Sequence, residues 1–118
     1  MINIKPLILA ELEKLHYPVF FFHPSEKASL PCISYYEASN VEVLRTDNEE
    51  QLSEINIQID VWSESPSKNS EIALKIDKSI STLGFVRQFC GDLYDNGVHH
   101  KTMRYRAVVD KQMKYIYQ

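Results

Sequence analysis

The chain has 118 residues, 44% hydrophobic and 25% charged, with thirteen basic and sixteen acidic side chains for a formal charge of -3. That size and usage suit one globular core without a linker and exclude disordered and collagen-like classes. The mild acidity excludes the broad positive surface needed to wrap nucleic acid, leaving at most a local basic patch.

The longest apolar run near the start, PVFFF, is far too short to span a bilayer. The opening MINIKPLILAELEKL carries charges where a signal peptide needs its apolar region, so neither membrane insertion nor export is expected. The two cysteines, Cys32 and Cys90, lie outside any CxxC spacing, which favours reduced thiols over a disulfide framework or a zinc site.

In NIKPLILAELEKL, Ile4, Leu7, Ile8, Leu12 and Leu15 recur every three or four residues, with Pro6 tolerable in a first turn; this predicts an amphipathic helix of about three turns. It ends by Tyr17-Pro18, because the residue before a proline avoids helical geometry. VFFFH and CISYYEA then read as short aromatic and β-branched strands separated by the turn-forming PSEKASLP. The polar, acidic stretch SNVEVLRTDNEEQL reads as a projecting loop, too long for a plain hairpin connection. The strongest signal is SEINIQIDVW. Ile55, Ile57, Ile59 and Val61 alternate with Glu54, Asn56, Gln58 and Asp60, which places the first set on a core face and the second outward.

SESPSKNSEIALKIDKSISTLG supplies a Ser65 cap, Pro66 at the first helical position, a stripe of Ile72, Ile76, Ile80 and Leu83, and Gly84 as the stop. FVRQFCGDLY and VHHKTMRYRAVVD flank Asp95-Asn96-Gly97, the favoured chemistry of a tight hairpin. No internal repeat or low-complexity segment is present. The expected fold is α+β: an antiparallel sheet of about four to five strands with two helices packed on one face.

Strand alternation tests the adjacent histidines. His99 and His100 point to opposite faces, so both cannot ligate one metal without a bulge. Met103, Tyr105, Ala107 and Val109 share one face, whereas His100, Thr102, Arg104 and Arg106 share the other, where a basic stripe could meet a carboxylate or a phosphate. The simpler reading is a solvated face paired across strands with Asp60 or Glu54. Gly84, Gly91 and Gly97 are too dispersed for a phosphate-cradling loop. A metal nuclease would need Asp60 to converge with Asp92, Asp95 or Asp110, yet Asp92 and Asp95 bracket a turn, where aspartate serves local hydrogen bonds. Each cysteine sits beside apolar strand residues and reads as packed rather than nucleophilic. Trp62 lies on the outward parity of its strand, either beneath the projecting loop or as the anchor of a protein interface.

The succession LPCISYYEASN, INIQIDVWSESPSKNSEIALKIDKSI, GFVRQFCGDLYDNGVHHKTMRYRAVVD and terminal IYQ resembles the tail completion, or head-to-tail joining, proteins of long-tailed bacteriophages. This family is similar in role to the tail terminators. The resemblance spans almost the whole chain and rests on ordered pattern; the loop from Asn40 to Ser53 carries no transferred role. It implies one domain over residues 1–118, a structural protein without catalytic activity, cofactor or metal. It further implies a hexameric ring, monomeric when free, that caps the tail tube, stops its polymerisation and docks on the neck of the filled head. The implied partners are the tail tube protein and the head connector, with DNA passing through the lumen without specific binding and no membrane. The implied location is the virion, after assembly in the bacterial cytoplasm. Ring closure needs heterologous contacts, and two patches are candidates: Gln58, Asp60 and Trp62 on the long strand, and His100, Arg104 and Arg106 on the hairpin. In KQMKYIYQ, Met113, Tyr115 and Tyr117 share strand parity, so the tail either packs on its own subunit or adds to a neighbour's sheet edge. Another head–tail connector, a minor virion protein, or a small metal-dependent nuclease stand as alternatives.

Overall fold

The computed structural model describes residues 1–111 and the backbone of 116–117. Helix α1 (Lys5–Glu13) buries Ile8 and Leu12, with Ile4 buried at its N-cap one turn earlier, while Leu7 faces outward. His16 adopts a left-handed φ of 64° and stops the helix two residues before Pro18. Helix α2 (Pro66–Ser81) begins where the Ser65 hydroxyl accepts the Lys68 N–H at 3.3 Å and buries Ile72, Ile76 and Ile80. Gly84, at φ 94°, then turns the chain back toward the sheet. Neither helix is long and apolar enough to cross a membrane.

The remaining elements are β1 (Val19–Phe21), β2 (Cys32–Thr46), β3 (Glu49–Ser63), β4 (Val86–Asp95), β5 (Val98–Asp110) and the two-residue β6 (Ile116–Tyr117). The strands form one sheet in the order β1-β2-β3-β5-β4, with β6 on β5. The α+β class stands, and both helices pack on one face of the sheet. The sheet is mixed rather than purely antiparallel, because β1 runs parallel to β2, with Val19 opposite Ile33 and Phe21 opposite Tyr35. A tight turn would have reversed the chain. Residues 22–31 instead carry it back to the starting end, so β2 sets off in the direction of β1.

The expected loop at residues 40–53 is a hairpin. Asp47 and Asn48 both take positive φ, 53° and 63°, between paired Thr46 and Glu49, which is the geometry of a two-residue primed turn. Pairing of β3 with β5 ends at Leu52 opposite Asp110, so the tip beyond it is a two-stranded ribbon whose two strands pair with each other. The molecule is correspondingly long, 52 × 24 × 23 Å. Register shifts at Glu37/Ser39 and Glu42/Leu44 are bulges that absorb twist along this arm.

The β4–β5 turn is as expected, with Asn96 at φ 49° and Gly97 at 83°. Beyond the start of β4, at Val86 opposite Arg106, β6 continues along the same edge of β5, with Tyr117 opposite Val108. Tyr117 therefore lies in its own subunit's sheet; Met113 and Tyr115 fall outside the described residues.

One apolar cluster joins the layers. Ile33, Ile55, Ile57, Ile59, Val61, Met103, Tyr105, Ala107 and Val109 from the sheet meet Ile4, Ile8, Leu12, Ile72, Ile76 and Ile80 from the helices. Tyr105 brings a polar tip into this cluster, and its hydroxyl donates to Asp77 Oδ1 at 2.9 Å. Burial, then the Asp77 bond and charge, push its phenol well above the usual range. Arg87 Nη1 balances Asp77 at 3.3 Å, which ties β4 to α2.

This division of labour sets a stability contrast. Ile59→Ala should lower unfolding free energy by about 2–5 kcal/mol in urea denaturation, whereas Val41→Ala on the exposed ribbon should stay within about 0.5 kcal/mol of the parent.

Candidate functional site

Because β3 and β5 are neighbours in register, the six candidate residues fall on one surface. Trp62 stands opposite His100, Asp60 opposite Thr102, Gln58 opposite Arg104 and Asn56 opposite Arg106. The isoleucines fix these side chains to the face turned away from the helices. The two patches expected to meet across a subunit boundary thus adjoin within a single chain, and their polar groups are joined to one another.

Asp60 is the centre of the network. Only 3% exposed, its carboxylate accepts from the Thr102 hydroxyl, from His100 Nε2 at 2.8 Å and from Gln58 Nε2 at 3.2 and 3.3 Å. A buried carboxylate without such donors would be strongly disfavoured. The Gln58 amide is oriented in turn, its Oε1 accepting from the Tyr36 hydroxyl at 2.8 Å and from Arg104 Nε at 3.1 Å. Further along, Arg106 Nε donates to Glu54 Oε1 at 2.9 Å, and this bond holds the Glu54 carboxyl below its ordinary range. The arginine stripe is therefore matched by acceptors on β3.

Trp62 stacks on His100 with ring centroids 3.8 Å apart and planes 11° from parallel. Its indole N–H donates to the buried Ser34 hydroxyl at 2.9 Å, and His23 packs edge-on at 5.1 Å. The segment that reaches Trp62 is the 22–31 connection, not the ribbon, which occupies the other end of the sheet. Between that connection and the β4–β5 turn lies a cleft of about 760 Å³ lined by His23, Pro24, Leu30, Trp62, Leu93, Tyr94 and His100 among others. Sequence reasoning located its floor but missed its walls. The available signals were the Pro-flanked aromatic run before residue 24 and the apolar pair Leu93-Tyr94 just before the turn.

Asp60 is enclosed by three donors, and among the described residues no three His, Cys, Asp or Glu side chains converge on one point. Asp92 pairs with Lys101 at 2.9 Å, and Asp110 lies opposite Leu52, eight residues along β5 from Asp60's neighbour Thr102, about 26 Å away at strand rise. His99 sits on the opposite face from His100, against the Tyr94 ring at 4.7 Å. Cys32 is buried as expected, and desolvation pushes its thiol up to about 11. Cys90 corrects the expectation of packing: it is exposed, because β4 is an edge strand lying beyond the cover of the helices.

The family model described as Tail completion protein gp17 matches residues 10–110, from α1 to the end of β5. A comparison with curated proteins found no match.

Two measurements check this geometry. Removing a donor from a buried carboxylate is costly, so His100→Ala should destabilise by about 1–3 kcal/mol and Asp60→Asn should recover part of that loss in a double-mutant cycle. A coloured thiol reagent should consume one cysteine per native chain, Cys90, and the second only after denaturation.

Proposed function

Since the chain belongs to the tail completion protein gp17 family of phage tail structural proteins, we propose that it caps the tail tube of a long-tailed phage and joins tail to head without catalysing a reaction. In this reading it halts tube polymerisation, closes as a hexameric ring around the DNA path and takes its place at the neck of the virion. The family match over residues 10–110 carries the proposal.

The surface geometry supports it. A sheet covered by helices on one face presents the other for contact, and the polar side chains of that face are fixed in place by mutual hydrogen bonds. Trp62, with the cleft beside it, is a preformed aromatic anchor of the kind that dominates protein interfaces. The ribbon carries Glu42, Asp47, Glu49 and Glu50, of which Glu42 pairs with Arg45, Glu49 with Lys111 and Glu50 with the Met1 amino group, leaving a small acidic surplus. Acidic side chains beside the DNA path would prevent phosphate capture.

Light scattering and negative-stain imaging of the protein, alone and mixed with tail tubes of the same phage, test the proposal. The expected result is sixfold rings, or caps on tube ends with no further growth in tube length. A protein that leaves tubes bare and still elongating would overturn it.

A further inference from the structure

The two long edges of the sheet are treated differently. At one side β1 is three residues long and is flanked by Pro18 and Pro24, the devices that stop a strand from recruiting another. At the other, β4 runs for ten residues with neither proline nor lysine, is exposed along most of its length, and pairs only with β5 among the described strands. Phe89 and Leu93 stand opposite Arg104 and His100, on the face away from the helices, and are 53% and 57% exposed. The far end of the Phe89 ring lies over Gly91, where a Cβ would come within 2.9 Å of it. A row of free backbone donors and acceptors bordered by apolar side chains is a template for one kind of ligand, another β-strand.

A second strand edge is open on the same molecule. Beyond Tyr35, β2 has no β1 partner, and its register with Glu54 and Leu52 puts exposed Val41 and Leu44 on the same face as Phe89 and Leu93. We propose that β4 of one copy pairs antiparallel with the ribbon half of β2 in the next copy, so that the sheet continues from subunit to subunit.

Strand direction permits this. The order β2-β3-β5-β4 alternates throughout, so β2 and β4 run oppositely and a rotation that preserves strand direction sets them antiparallel. Setting the middle of β4 against the exposed Val41 of the next copy gives an offset that a closed sheet accommodates. The middle of β4, Gly91, lies level with Asp60 through Thr102, whereas Val41 lies level with Glu54, six residues away, which is about 20 Å of strand. Four strands advance about 19 Å across the sheet. Joining β4 to β2 therefore tilts the strands by about 45° from the ring axis, the upper end of the range found in closed barrels. A symmetric β4-to-β4 pair would leave the β2 edge and its valines uncovered. The inference rests on the ring reading above and names how its copies join.

Cysteine crosslinking tests it, because Cys90 on β4 is the exposed thiol and Cys32 is buried. A Val43→Cys variant should give, with a short bis-maleimide, a ladder of covalent dimers, trimers and higher species up to the ring, while the parent, whose Cys90 thiols lie a full subunit repeat apart, stays uncrosslinked. Adding Phe89→Lys, an exposed substitution that keeps the fold, should abolish the ladder. Crosslinking that ends at dimer in the Val43→Cys protein overturns the proposal in favour of a symmetric β4 pair. Rings on tail tubes without a ladder overturn it while the tail reading stands; neither rings nor ladder overturns both.

Discussion

Everything in this fold depends on the register of β3. It pairs with β2 along its whole length and with β5 along all but its first residues, so any slip would disturb both ladders at once. A one-residue slip would also exchange faces, sending Ile55, Ile57, Ile59 and Val61 to the side away from the helices and Asp60 into the apolar cluster. Each of those four buried side chains contributes about 1.5–3 kcal/mol by leaving water. The other face acts in the same sense, since only the native register lets Thr102, His100 and Gln58 reach the Asp60 carboxylate together. Apolar burial and polar satisfaction thus select one alignment from opposite sides of one strand.

A surface organised in this way is well placed but has few unmet hydrogen bonds. Gln58 is held from three sides, Arg106 is paired with Glu54, and the Trp62 N–H is spent on Ser34. New hydrogen bonds to these groups would have to displace existing ones, a roughly even exchange. For a partner docked on this face, affinity would come chiefly from apolar flanks such as Leu93 and the Trp62 ring, whose positions the polar centre fixes.

Much of the architecture was legible because burial writes a period into the sequence. The alternation through residues 54–61, the Ser65-Pro66 start of α2 and the Asn96-Gly97 turn each reflect one local cause, and each is present as read. The ribbon was illegible for the converse reason. Neither of its faces is buried, so no alternation marks it, and Asp47-Asn48 forms the primed turn without the glycine that usually announces one. The direction of β1 could not be read either, since three residues carry no directional signal and the sense of pairing is decided by how residues 22–31 cross the sheet end. Parity correctly divided His99 from His100 and grouped the two halves of the candidate surface. It could not show that β3 and β5 are neighbours, which turned two supposed patches into one network. Cys90 misled because its apolar sequence neighbours are those of an exposed edge strand.

Apolar side chains left in water are the other half of this account. Val41, Leu44, Phe89 and Leu93 all lie outside the main cluster, at 47–57% exposure, and none contributes to the two-layer core. They are not scattered: all four point to the same side of the sheet, two along each open strand edge. Folding of the single chain does not require them, because the helices and the other sheet face already enclose the cluster. Their cost is borne by the free subunit as exposed surface and is recovered only when something covers them. The core and these exposed apolar side chains therefore lie on opposite faces of the same sheet, so the exposed set can change without disturbing the core that holds the strands in register.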